Sequence, residues 1–359
     1  MNVVVAGAGI AGLSAAWELL QAPADCDVTV VDSERRPGGV ILTERRDGFI
    51  VEGGPDGWLA SEPDIAGIAA ELGIAEHLVR QTAHGSSRWT GTALEPLAEG
   101  QAAELLGIDV RPGDVAAGFL SFASGMGELV DALVSRVGSR LRTPLGISGI
   151  TPSRHGWRLS AGGSGIEADA VVLAIPSYGA GRLLEQAGAT GARQVGEVVY
   201  TPSATVSLAY RADQIGQRLE GTGFVVSPEV VGVQHAAPLF LRAVTYASSK
   251  FPGRAPQDHV LLRAFLAPTE HGPAKQAHTE LSAILGIRGE PLWSRTFYWT
   301  KGIPRYPHGH ARHVAALRAR LARLPPLAIA GAGYDGAGVS ACVRSGRDAA
   351  REILRRLDG

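Results

Sequence analysis

Three glycines and one aspartate near the start of this chain have the types and spacing to hold a dinucleotide. The run Val3-Val4-Val5-Ala6 breaks into Gly7-Ala8-Gly9-Ile10-Ala11-Gly12 and continues as Leu13-Ser14-Ala15-Ala16-Trp17-Glu18-Leu19-Leu20. A second apolar run, Val28-Thr29-Val30-Val31, ends in Asp32, twenty positions beyond Gly12. A lone G-x-G-x-x-G says little, but here a strand, a helix, a second strand and an acid all stand where the fingerprint requires them. Gly7 permits the tight turn, Gly9 lets backbone N–H groups reach a pyrophosphate, and Gly12 lets helix and strand pack closely. The helix N-terminus offers partial positive charge to the phosphates, and the Asp32 carboxylate can accept from a ribose hydroxyl.

The elements that must position these residues are legible at both ends of the chain. Ala170-Val171-Val172-Leu173-Ala174-Ile175-Pro176 reads as a fully buried parallel strand. Leu327-Ala328-Ile329-Ala330-Gly331 is a second such strand meeting glycines, and Ser340 to Leu357 is helical. The chain is therefore expected to be α/β, with one Rossmann-like nucleotide domain closed by both chain ends. Helices are expected within 58–80, opened by Pro63 and stopped by Gly73, and from Gly127 with Leu129, Leu133 and Val137 on one face. Trp157-Arg158-Leu159 and Ile166-Glu167-Ala168 alternate like a hairpin. Strand-like runs at 204–210, 223–226, 239–246 and 259–266 imply an antiparallel sheet in an inserted α+β domain. Residues 84–120 read as irregular. The expected division is 1–57, 125–178 and 296–359 for the nucleotide domain, with 58–124 and 179–295 for the substrate domain.

Composition excludes several classes. The 359 residues carry 45% hydrophobic and 19% charged side chains and a net charge of −1, which offers nothing to nucleic acid or an anionic membrane. Two cysteines, Cys26 and Cys342, cannot build a disulfide framework or a four-thiolate zinc site. No stretch approaches the ~18 apolar residues of a spanning helix. A cytoplasmic protein without stable membrane insertion is the expectation.

Further motifs converge on one family. They are Gly38-Gly39-x-x-x-Thr43, Gly48-Phe49-x-Val51-Glu52-x-Gly54-Pro55-Asp56, Ala174-x-Pro176, Trp299-x-x-x-Ile303-Pro304-x-Tyr306 with Gly309-His310, and Ala330-Gly331-x-x-Tyr334-x-Gly336-x-Gly338-Val339. With the N-terminal fingerprint, the chain resembles the protoporphyrinogen/coproporphyrinogen oxidase branch of the FAD-dependent amine oxidase superfamily. The resemblance implies FAD. It places Gly7, Gly9, Ile10, Ala11 and Gly12 on the pyrophosphate, and Asp32 with the neighbouring Ser33 at the adenosine ribose. Gly38 and Gly39 would follow the pyrophosphate, with Ala174 and Gly331 lining the same cleft. Gly54 and Pro55 would stand beside the isoalloxazine, Asp56 and Trp299 would also bind the cofactor, and the Ile147 backbone would meet adenine. Asp335, Gly338, Val339 and Ser340 would meet ribityl and flavin from a helix N-terminus, whose dipole favours negative charge on the reduced ring.

The sequence departs from the family in places. Asp32 stands where Glu is usual, and Val40 stands where many members have Arg. Only 70 positions separate Gly57 from Gly127, where full-length members carry a longer helical cover that touches membrane. Lys301 is a candidate to face flavin N5 or orient a water, against the commoner role of a surface lysine. Arg88 could pair with a substrate carboxylate or be an exposed structural arginine, and Trp58 and Tyr334 could wall the substrate or fill the core. His308, His310 and His313 match no zinc spacing, so no metal is expected. Cys342 needs no role as a flavin attachment. The implied reaction is hydride transfer from a C–H bond to flavin N5, with O₂ as acceptor. A non-porphyrin small molecule such as a secondary metabolite is the first substrate reading. A porphyrinogen oxidase and a non-catalytic flavin-binding protein are the alternatives, and a partner protein could complete the shortened cover.

Overall fold

The computed structural model describes residues 1–23, 25–106, 112–227, 230, 239–267 and 272–358. Strand β1 (Asn2–Ala6) is buried from Val3 onward. It leads through Gly7, held at φ 108°, into helix α1 (Ile10–Gln21). The chain returns as β2 (Asp27–Val31), parallel to β1 with Val5 opposite Val30. Gly12 is demanded by contact, since a β-carbon there would sit 1.8 Å from the Gly7 carbonyl oxygen. The antiparallel hairpin of β3 (Thr43–Arg46) and β4 (Phe49–Glu52) follows. Helix α2 (Asp64–Leu72) buries Ile65, Ile68, Ala69 and Leu72 and ends where Gly73 turns left-handed at φ 77°. Pro63 and Gly73 bound it as expected, while the ends of the 58–80 stretch pair as the short strands Trp58–Leu59 and Leu78–Arg80 instead of being helical.

The described residues of 84–120 are only partly irregular. Strands β5 (Ser87–Trp89) and β6 (Leu94–Pro96) form a hairpin whose pairing depends on a distant strand. Such short runs carry no periodicity of their own. Helix α3 (Gly127–Val137) packs Leu129, Leu133 and Val137 inward, and β7 (Leu141–Arg142) joins β2. A meander of β8 (Ile147–Ser153), β9 (Gly156–Ala161) and β10 (Ser164–Ala168) precedes β11 (Ala170–Leu173), all four residues of which are buried. Helix α4 (Ser177–Gln186) leads to the second sheet.

That sheet is built from β12 (Val199–Arg211), β13 (Gly223–Val226), β14 (Leu241–Tyr246), β15 (His259–Leu266) and, after helix α5 (Pro273–Leu285), β16 (Trp293–Arg305). The chain closes with helix α6 (His310–Leu321), β17 (Leu327–Ile329) and helix α7 (Val339–Leu357). The first sheet is five-stranded and parallel in the order β7-β2-β1-β11-β17, so the two chain ends do meet in one nucleotide-binding unit. The second is seven-stranded in the order β16-β12-β15-β14-β13-β5-β6. It is antiparallel except at β13 with β5. β16 carries this sheet to Arg305, inside the stretch expected to be nucleotide domain. Pro304 is tolerated because β16 is an edge strand. One face of the sheet packs on α5 through Val206, Leu208 and Leu262, and on the other face Ala209, Leu261 and Phe297 meet Phe49 and Val51 of β4.

Candidate active site

At the carboxyl end of β1 the chain builds an open backbone cradle. Helix α1 starts at Gly9 with no side-chain cap, and α7 starts at Gly338 with none either. The first amides of a helix lack intrahelical partners, so both N-termini present donors, and β-carbons added at Gly9 or Gly338 would meet nothing within 4 Å. Gly38 pairs with Gly9 across an isolated bridge, its N–H donating to the Ala8 carbonyl at 2.7 Å. Ala174 donates to the Ala6 carbonyl at 2.7 Å, which brings it beside Gly12. Gly331 approaches Ala11 from β17. The expected cleft residues are thus brought together.

Asp32 at the end of β2 accepts the Ala8 N–H at 2.6 Å and the Glu34 N–H at 2.8 Å, which ties it to the loop it was expected to serve. Ser33 is exposed beside it, close to Gly146, and half-buried Ile147 opens β8. The Arg36 guanidinium donates to the Gly39 carbonyl and, at 2.7 Å, to that of Ile41, so a cation does reach the Gly38-Gly39 turn although Val40 cannot supply one. Sequence reasoning passed over Arg36. Its place one residue before Pro37-Gly38-Gly39 was the available signal.

The Gly53-Gly54-Pro55 turn follows β4. Gly54 is required, since a β-carbon there would lie 1.8 Å from the Val40 carbonyl oxygen. Trp299 of β16 donates its indole N–H to the Gly53 carbonyl at 2.7 Å, which clamps the turn to the second sheet. Asp56 does not point its carboxylate at the turn's open side; both oxygens accept from the Lys250 ammonium at 3.1 Å. Burial alone would raise the Asp56 carboxyl, but Lys250 and then Arg263 outweigh that and hold it below its usual value. Glu52, accepting from Thr43 and the Met126 N–H, is pushed up by burial. Asp335 gives its oxygens to Arg318 at 2.8 and 2.7 Å and accepts from Ser345, whose oxygen accepts the Gly331 N–H. It therefore braces the β17 turn from behind.

For three residues left open between a substrate role and a structural one, the structure shows structural surroundings. Arg88 lies on the β5–β6 hairpin, exposed and bonded through two nitrogens to Glu95, because the cross-strand register sets the two opposite each other. Trp58 is 3% exposed and packs on Phe122, and Tyr334 is 4% exposed in the core beneath the first sheet. Both rings are core. Lys301 is exposed and sets its ammonium 3.8 Å from the Tyr178 ring. Tyr178 meets Tyr200 edge-on at 5.1 Å, the Tyr200 hydroxyl stands against Ser177 and Gly333, and Tyr306 donates to the Ala332 carbonyl at 2.6 Å. This tyrosine surface around the Ala332-Gly333 turn escaped the sequence reading, because its members come from four separate segments. His310 stacks on Tyr306 at 4.7 Å, and burial pushes the Cys342 thiol up to about 12. Among the described residues no three His, Cys, Asp or Glu side chains are grouped to hold a metal, and no helix is long and apolar enough to cross a membrane.

The residues fit FAD: open glycines and uncapped amides could hold a pyrophosphate, and at the start of α7 the buried Ser340 hydroxyl has no partner among the described residues. Cradle, clamped turn and docked sheet together define a two-part FAD-binding oxidoreductase. The chain belongs to the family of flavin containing amine oxidoreductases, which matches residues 99–354, and an NAD(P)-binding Rossmann-like domain matches residues 5–72. It is 25% identical to a coproporphyrinogen III oxidase of Propionibacterium freudenreichii subsp. freudenreichii, over 98% of this chain and 90% of that one. A putative protoporphyrinogen oxidase structure from Exiguobacterium sp. 255-15 superposes with a TM-score of 0.82 at 24% identity, covering 100% and 99% of the two chains. Cyclohexylamine oxidase from Brevibacterium oxydans IH-35A does so with a TM-score of 0.77 at 15% identity, covering 100% and 99%.

Proposed function

We propose that this FAD-dependent oxidoreductase removes hydride from a C–H bond of a small non-porphyrin molecule, such as a secondary metabolite, and returns the electrons to O₂. The observation that carries the reading is the short stretch from Gly57 to Gly127 set against an otherwise complete flavin fold. The alignment with the Propionibacterium oxidase runs over 497 positions against a chain of 359 residues, so that relative has segments without a counterpart here. Bound FAD supplies the hydride-accepting chemistry. The chain's own residues do the rest. The α1 amides and Gly9 hold the pyrophosphate, Asp32 the ribose, and the Gly53–Pro55 turn, clamped by Trp299, lines one side of the ring. Phe49, Val51 and Phe297 keep water from behind that turn. The short stretch from Gly57 to Gly127 suits a small substrate better than a macrocycle that needs a cover to hold it and exclude water.

The porphyrinogen oxidase reading is favoured by the relatives' names and is the direct competitor. The test is anaerobic flavin bleaching with a substrate panel, followed by aerobic turnover of coproporphyrinogen III and protoporphyrinogen IX. Slow or absent porphyrinogen oxidation is expected. Turnover on the order of 1 s⁻¹ or faster would overturn the small-substrate reading and restore the porphyrinogen one.

A further inference from the structure

Behind the Gly53–Pro55 turn the two halves of the molecule enclose a charged cavity lined by Glu52, Asp56, Ser207, Phe251, Arg254 and Arg263. Lys250 borders it through its pair with Asp56. Three buried cations therefore face two carboxylates. Lys250 is matched by Asp56 at 3.1 Å. Arg254 lies 3.9 Å from Glu52 and donates to the Ser121 hydroxyl and the Phe122 and Ala123 carbonyls. Arg263 is left over. It is 6% exposed, and no carboxylate among the described residues forms an ion pair with it. Among the described residues its Nε has no partner, and the hydrogen bond it makes is a long 3.5 Å donation to the Gly53 carbonyl. Its guanidinium otherwise rests on the Phe265 ring at 4.8 Å.

A guanidinium has five donors, and a buried charge without a counter-charge is strongly unfavourable. Burial indeed pushes Arg263 below its usual value, with Asp56 and Glu52 offsetting this only in part. The one bond it does make goes to the carbonyl that Trp299 also clamps, so its charge stands directly behind the turn assigned to the isoalloxazine. Hydride transfer breaks the substrate C–H bond and brings two electrons and one proton to the flavin ring, which thereby gains one negative charge. We propose that Arg263 is the buried counter-charge for that negative charge, and that it raises the reduction potential of the bound FAD. Asp56 and Lys250 set the balance: each charge in the cavity acts on the ring in proportion to its sign. The proposal rests on the placement of the Gly53–Pro55 turn beside the flavin, and it is independent of the substrate.

The test is the reduction potential of FAD on the purified holoenzyme, equilibrated anaerobically with a reference dye, in wild type, Arg263→Met, Arg263→Lys and Asp56→Asn. Arg263→Met is expected to weaken binding of reduced relative to oxidised FAD by about tenfold, which is a fall of about 30 mV for a two-electron couple. Arg263→Lys should restore most of that, and Asp56→Asn should move the potential upward. Opposite signs are what a packing role cannot produce. An unmoved potential in Arg263→Met, or a shift of the same sign in both variants, overturns the proposal while leaving the flavoenzyme reading intact. Should Arg263→Met fail to fold, Asp56→Asn decides alone, an unmoved or lowered potential counting against. A wild-type protein that takes up no FAD would defeat the FAD placement itself, and the proposal with it.

Discussion

At Gly9 the backbone is extended, with φ −70° and ψ 176°, and the space beyond its α-carbon is open. A β-carbon there would meet nothing within 4 Å, whereas a branched side chain would fill the volume that a pyrophosphate needs. Gly9→Val is therefore expected to fold with unchanged circular dichroism and to bind no flavin, as read from the visible spectrum and from acid-released FAD. Full flavin occupancy would make the glycine motif merely structural. Asp32 is different, because its carboxylate already holds the Ala8 and Glu34 amides. Asp32→Ala should weaken FAD binding by about 1.5–3 kcal/mol, the range for a hydrogen bond to a charged group, measured by titrating FAD into apoprotein. Unchanged affinity would place the ribose elsewhere.

Among the elements, the contact of α1 with α7 carries the cradle. A β-carbon on Gly346 of α7 would lie 2.0 Å from the Ala11 carbonyl oxygen, backbone against backbone. In an isolated helix, Gly→Ala gains about 1 kcal/mol. Here the sign reverses: Gly346→Ala must push the two helices apart, at a cost of about 1–3 kcal/mol or more. Urea unfolding checks it, and a stabilised variant would mean that α7 sits elsewhere. Because the N-termini of α1 and α7 are the ones proposed to hold the cofactor, FAD affinity should fall with stability in this variant.

Across the whole molecule, ion pairs tie the β3–β4 region to the second sheet. Asp56 pairs with Lys250, and Glu44 accepts two bonds from Arg295 at 2.8 and 2.7 Å. Both carboxyls are held below their usual values: Glu44 chiefly by the Arg295 hydrogen bond, and Asp56 by Lys250 against its burial. A carboxyl depressed by folding contributes stability that is present above its unfolded pKa, about 4. That contribution is lost as pH falls through the folded value. Stability measured by denaturant should therefore drop from about pH 4 downward, and Asp56→Asn should flatten that acid limb while lowering stability at neutral pH. An acid limb as steep as that of wild type would assign the loss to other carboxylates.

Local pattern was enough for the nucleotide half of the fold. The β-branched run before Gly7, the acid after β2 and the buried runs at β11 and β17 each signal their element within a few residues, and parallel strands buried on both faces leave little choice of partner. Those runs pointed to a dinucleotide; FAD was implied by the family resemblance that the further motifs carry. Helix α7 was legible for the same reason, and so were the 204–210, 223–226, 239–246 and 259–266 strands. Tertiary structure alone decided what depends on distant partners. β5 and β6 are strands because β13 offers them an edge, and Trp58, Tyr334 and Arg88 take the roles their neighbours impose. Lys250, Arg254 and Arg263 become a buried cluster only when the second sheet docks on the β4 turn. Charge burial is a property of two segments brought together, and no window of sequence contains both.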